Sequence, residues 1–131
     1  MKTVRVVAAV IKDNSRILAT QRGSGDFKGG WEFPGGKVEP GETREEAIIR
    51  ECREELDTTL EPLDVFTEVT HQYPDLCIHL SFLRCRVQSG QPRALEHAAI
   101  RWIRPEEASA YDFCPADLSI VQALAREAEN S

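Results

Sequence analysis

The 131 residues contain no apolar run long enough to cross a bilayer. The apolar stretch at the N-terminus is short and broken by Arg5, so neither a signal peptide nor a transmembrane span is expected, and the expected compartment is the cytoplasm. A basic excess is also missing. The 16 Lys and Arg stand against 22 Asp and Glu, and a net charge of -6 argues against a nucleic-acid surface. Cys52, Cys77, Cys85 and Cys114 show no paired metal-ligand spacing and read as reduced, structural residues. No linker, repeat or low-complexity segment interrupts the chain. With 41% hydrophobic and 29% charged residues it has an ordinary soluble composition, and residues 1–131 read as one domain large enough for a real core.

What the chain does contain is concentrated between Gly35 and Thr58, GGKVEPGETREEAIIRECREELDT. Thr43 followed three residues later by Glu46 fits a capping box, so a helix is expected to begin at Arg44. At about 100° per residue, Ile48, Ile49, Cys52 and Leu56 fall on one face, and Ala47, Glu51, Glu54 and Glu55 on the other. The first face reads as core. On the second, three carboxylates crowd one turn, where like-charge pairs each cost roughly 0.2–0.5 kcal/mol. A hard divalent ion offsets that repulsion best, because magnesium prefers carboxylate oxygen and is usually completed by water and substrate phosphates. Arg50, beside the cluster, could orient one carboxylate.

A Glu-rich helix face is more often simply solvated. The preceding loop shifts the balance, because Gly35, Gly36 and Gly41 allow positive φ or close backbone approach and can bring a carbonyl and Glu42 toward the same ion. The acidic net charge points the same way, since a polyphosphate would be repelled unless cations bridged it to the protein.

The β-branched run at residues 3–11 predicts a strand, Asp13-Asn14-Ser15 a turn, and Arg16 to Gln21 a returning strand. Residues 23–30 read as an exposed glycine-rich loop near the substrate mouth. Leu63 to Gln72 and Leu76 to Val87 predict two long strands around Tyr73-Pro74-Asp75, and Ala99 to Ile103 a further strand. Pro105 to Ala110 predicts a short helix and Leu118 to Ala128 a longer one, with Ile120, Val121 and Leu124 inward. The expected fold is α/β, a mixed sheet held between helices.

The string Gly36, five residues, Glu42, seven residues, Arg50-Glu51, Cys52, Arg53, Glu54-Glu55 resembles the signature box of the Nudix hydrolases, which cleave a nucleoside diphosphate linked to a further group. The box spans 36–58. Similarity to the MutT-like branch extends to TrpGluPhePro at 31–34, IleHisLeu at 78–80 and ProAlaAsp at 115–117. Asp57 stands where the family usually has glycine and Thr58 where it has an aliphatic residue. Asp can visit the left-handed cap conformation at some cost, so a small stability penalty is expected.

The resemblance implies an α/β/α sandwich and magnesium, with manganese as the alternative, held by Glu51, Glu54, Glu55 and the Gly35 carbonyl, with Glu96 joining. It also implies that water attacks a phosphorus within the chain and releases nucleoside monophosphate and pyrophosphate. The base is Glu54 or Glu96, and the sequence does not separate them. Lys37 could stabilise developing charge, beside Gly36. Arg22 matches a nucleotide contact of MutT-type proteins, or is a surface arginine. His79 and His97 could act as a base or phosphate contact, although such histidines are more often satisfied polar residues.

For substrate choice, Phe33, Tyr73 and Phe113 are pocket walls or core. Asp117 matches an asparagine with which MutT reads the oxidised guanine. An ionised aspartate only accepts hydrogen bonds, which suits the N7 proton of 8-oxoguanine or the exocyclic amine of cytosine. It also directly precedes the predicted helix, where it would serve as an N-cap worth about 1 kcal/mol. The substrate expected is a nucleoside triphosphate, 8-oxo-dGTP first and the (d)CTP type as the alternative. A non-cleaving nucleotide sensor is the reading from another class, but such relatives usually lose box carboxylates that are present here. A purely structural domain would gain nothing from the cluster. The expected assembly is a monomer or a homodimer.

Overall fold

The computed structural model describes residues 2–25 and 27–129. Strand β1 (Lys2–Asp13) turns through Asn14, whose φ of 58° suits a two-residue hairpin, into β2 (Arg16–Gln21). Two short strands, β3 (Trp31–Glu32) and β4 (Gly35–Lys37), precede helix α1 (Arg44–Leu56). A long antiparallel pair follows, β5 (Thr59–Tyr73) and β6 (Leu76–Ser89), then β7 (Ala99–Ile103), a 3-10 turn (Pro105–Ala110) and helix α2 (Pro115–Glu129).

The strands form one seven-stranded sheet in the order β3-β2-β1-β6-β5, with β4 added on β1 and β7 on β2. β1 and β6 run parallel, while the other pairs are antiparallel, so the sheet is mixed. The two-residue alternation of β1 gives each face its own core. Val7, Ala9 and Ile11 pack with Ile48, Cys52 and Leu56 of α1. Ala8 and Val10 share the other core with Ile120, Val121 and Leu124 of α2. Each such aliphatic side chain fully removed from water contributes roughly 1.5–3 kcal/mol, so both helices are fastened to the sheet. This is the α/β/α sandwich.

The capping box is present as expected: Thr43 Oγ1 accepts from the Glu46 amide at 3.0 Å and Glu46 accepts from the Thr43 amide at 2.9 Å. Asp57 closes α1 in the left-handed region, φ 53° and ψ 42°. Its carboxylate holds Arg93 at 2.6 Å. Thr58 is buried, but its hydroxyl donates to the Ser89 carbonyl at 3.2 Å and also to the Gly90 carbonyl, so the polar group at an aliphatic position is satisfied.

Several expectations need correction. Ala47 is fully buried in the α1 core rather than on the carboxylate face, because an alanine at the border of a stripe fits against the sheet. β5 starts four residues before Leu63. It includes Pro62, tolerated because β5 is an edge strand with a register shift at that point. α2 starts at Pro115 rather than Leu118, since proline suits the first helical position and the Leu118 amide already bonds the Cys114 carbonyl at 3.0 Å. Asp117 therefore sits inside the first turn and is not the N-cap. Phe113 is 7% exposed and belongs to the core. β3 and β4 are too short to leave a sequence pattern.

Candidate active site

Strand β4 lies between β1 and α1, and two glycines make that possible. A Cβ at Gly35 would stand 2.0 Å from the Val7 carbonyl oxygen, so only glycine lets β4 pair with β1 there. A Cβ at Gly36 would stand 2.4 Å from the Glu51 carboxyl carbon. Gly36 thus leaves the space into which α1 projects Glu51. Gly36→Ala should displace that carboxylate and lower kcat about tenfold or more, given what small misplacements cost, with little change in melting temperature. Unchanged kcat would show that the Glu51 position is irrelevant.

Arg50 organises the acidic face. Its Nε donates to Glu42 at 2.7 Å, Nη2 donates to Glu42 at 3.0 Å and to the Lys37 carbonyl at 3.0 Å, and Nη1 donates to Glu51 at 2.9 Å. Glu54 lies 3.6 Å from the same guanidinium and Glu39 3.7 Å. These partners hold the arginine firmly in its charged form. The Arg50 hydrogen bond, helped by the Glu39 amide, keeps the Glu42 carboxyl below its ordinary range. Glu42 and Arg50 act as a brace between loop and helix, so Glu42 is directed at arginine. The Lys37 side chain is exposed.

Glu55 has a different environment. Its side chain is 12% exposed and lies 3.4 Å from His97 Nε2. Burial pushes its carboxyl up, His97 opposes that, and Glu51 adds to it. Glu55 Oε2 is buried without a hydrogen-bond partner. An orphaned carboxylate oxygen is costly unless something occupies it. Glu51 and Glu54 share this helix with Glu55, but among the described residues the side chains whose ligand atoms converge within 4.8 Å are Glu32, Cys114 and Asp117. The His97 side chain, also buried, faces Glu55 through Nε2, while its Nδ1 has no hydrogen-bond partner. Glu96 is exposed in the loop before β7, and that loop is tied to the end of α1 by the Leu95 amide on the Glu55 carbonyl at 3.2 Å.

A cleft of about 240 Å³ opens beside this face, lined by Arg22, Phe33, Gly35, Gly36, Leu80 and Asp117 among others. Five predicted residues, Arg22, Phe33, Gly35, Gly36 and Asp117, thus converge. Asp117 Oδ1 accepts from the Phe33 amide at 3.2 Å. Burial pushes its carboxyl up to about 7, against the Phe33 amide that favours the charge. Arg22 Nη1 donates to Glu32 at 3.0 Å, and its Nε is buried without a partner.

Lys37 lines a separate groove with Lys2, Arg5 and Gly41, and two further predicted residues also lie away from the cleft. His79 bonds Thr70 at 3.1 Å and faces Glu68 at 3.6 Å. Because neighbouring Leu80 lines the cleft and successive strand residues point to opposite faces, His79 sits on the other side of the sheet. Tyr73 is half exposed at the end of β5 and does not line the cleft. Conversely, the structure adds Glu32 and Cys114 to the site. Their ligand atoms and that of Asp117 lie within 4.8 Å of one another. The one signal of this in the sequence is the carboxylate directly before Phe33 in the TrpGluPhePro string.

The NUDIX domain family matches residues 1–124. The chain is 39% identical over 125 residues to the CTP pyrophosphohydrolase of Escherichia coli, covering 95% of this chain and 93% of that protein. It is 32% identical over 128 residues to the 8-oxo-dGTP diphosphatase of the same organism, covering 96% and 99%. The solution structure of the E. coli ORF135 protein superimposes with a TM-score of 0.81 at 38% identity, covering 94% of this chain and 89% of that one. An arginine-braced carboxylate helix behind a two-glycine strand, on a sandwich that superimposes this closely, places the chain in the Nudix hydrolase family.

Proposed function

We propose that the protein is a magnesium-dependent nucleoside triphosphate pyrophosphohydrolase, releasing nucleoside monophosphate and pyrophosphate and acting first on 8-oxo-dGTP. The observation that carries this reading is the pairing of an acidic helix having an orphaned buried oxygen at Glu55 with a cleft ending at Asp117. Glu51, Glu54, Glu55 and the Gly35 carbonyl would hold the ion, with Glu96 from the adjoining loop. The chemistry such an ion would supply is neutralisation of phosphate charge and a lowered pKa for water.

The remaining chemistry belongs to the chain. Arg50 fixes Glu51. Glu54, with 56% of its side chain exposed, keeps oxygen lone pairs open to accept the proton of the attacking water. Arg22 stands at the cleft wall to meet phosphate, and Lys37, exposed on the neighbouring groove with Lys2 and Arg5, would have to swing toward the phosphates to stabilise developing charge. Phe33 supplies an apolar wall, and Asp117 accepts from the donor edge of the base.

A second reading, (d)CTP or 5-methyl-dCTP as preferred substrate, is favoured by the 39% identity to a CTP pyrophosphohydrolase. Magnesium-dependent pyrophosphate release from 8-oxo-dGTP, dGTP, dCTP, 5-methyl-dCTP and dATP, compared by kcat/KM, decides between them. Preference for 8-oxo-dGTP means protection of the nucleotide pool against oxidative mutation. Preference for the cytosine nucleotides supports the second reading. Binding without any hydrolysis would replace both with a nucleotide sensor.

A further inference from the structure

Next to the cleft lies a larger chamber of about 510 Å³ with mostly apolar walls, which the reaction described above does not use. Val69, His71 and Tyr73 of β5 form its floor, and Cys114, Ala116 and Ser119 at the start of α2 form one side. Phe27, 67% exposed, closes the rim from the loop after β2. Its φ of 60° is unusual for an aromatic residue and is a local cost that surrounding structure must offset.

The chamber and the cleft share a wall. Val69 in the chamber is the cross-strand partner of Leu80 in the cleft. Cys114 in the chamber has its sulfur within 4.8 Å of the ligand atom of Asp117 in the cleft. A base whose amine donates to Asp117 therefore has its edge only a few bond lengths from the chamber. An exocyclic amine with one substituent still has one N–H to give. The same nitrogen can then satisfy Asp117 and send its substituent among Phe27, Tyr73 and Val69.

From this juxtaposition we propose that the chamber is a specificity subsite for nucleoside triphosphates whose base carries an apolar substituent on its exocyclic amine. The proposal deepens the pyrophosphohydrolase reading and rests on it for the placement of the base. Tyr73, away from the main cleft, gains a role here as an aromatic wall. The mixture of aromatic faces and small residues suits a flat or branched hydrocarbon, and the solvent-open rim explains why such a group need not displace core side chains.

The test compares dCTP with N4-benzyl-dCTP, by kcat/KM and by calorimetric affinity, in the wild type and in two rim variants. The wild type should process the benzylated nucleotide within about threefold of dCTP or better. Ser119→Trp, a surface change that fills the chamber, should lower the benzyl-to-dCTP ratio at least about tenfold while dCTP stays within twofold. Phe27→Ala should lower the same ratio several-fold. These magnitudes follow from the burial of one aromatic ring. Discrimination of a hundredfold against N4-benzyl-dCTP by the wild type, or an unmoved ratio in both variants, would overturn the proposal. If neither nucleotide is hydrolysed, the pyrophosphohydrolase reading fails alone, and the ratio of affinities still decides the subsite.

Discussion

Replacing Glu54 by glutamine should lower magnesium-dependent kcat by about a thousandfold, within the range that loss of a positioned base produces. The fold should not notice. Glu54 is exposed, and its ion-pair partner among the described residues is Arg50 at 3.6 Å, a guanidinium that Glu42 and Glu51 already hold at 3.0 Å or less. Surface substitutions of this kind shift stability by about 0.5 kcal/mol or less, so the melting temperature should stay within about two degrees. Glutamine keeps the volume and removes the charge, which means lost turnover reports on electrostatics and proton transfer. A variant with more than a tenth of wild-type kcat would refute the role given to this carboxylate. An equal loss of stability would assign the residue to the fold.

Asp117→Asn should have two separable effects. The first concerns stability and pH. Burial raises the Asp117 carboxyl from 3.8 to about 7, so between those values the folded chain binds more protons than the unfolded chain. Stability contributed by the neutral form is complete below about 3.8 and is lost as pH rises through about 7. Each pH unit across that window is worth about 1.4 kcal/mol, so the cost above neutrality is of the order of a few kcal/mol. Asparagine has no charge to bury and can still accept from the Phe33 amide. The variant should therefore melt higher than wild type at pH 8 and equally at pH 4. Parallel melting curves across that range would exclude a strained buried carboxylate.

The second effect concerns the base. An amide donates as well as accepts, so kcat/KM should shift about tenfold toward 8-oxo-dGTP relative to dCTP, in line with the cost of mismatched buried polar groups. Turnover at saturation should change little, because Asp117 does not touch the phosphates. An unchanged substrate profile would leave Asp117 a brace for the Phe33 backbone.

The sequence by itself determined the acidic helix. The capping box at Thr43 and Glu46, the apolar spacing of Ile48, Cys52 and Leu56, and the run of box carboxylates are all local, and local periodicity survives folding because α1 buries one stripe only. The long strands and the two-sided core were legible for the same reason. What the sequence left open depends on contacts between distant segments. Arg50 had four carboxylate neighbours to choose from, and only the loop path before α1 gave it to Glu42 and Glu51. His97 is far from Glu55 in the chain yet pairs with it, because the loop before β7 crosses the end of α1. Asp117 reads as a helix cap until Pro115 starts the helix earlier and turns its carboxylate to Phe33. His79 and Leu80 are adjacent in sequence and separated by the sheet, since β6 alternates its faces. Side-chain chemistry was written locally, but which groups share a cleft was decided by strand register and by the packing of two helices on opposite faces, neither of which is a local property.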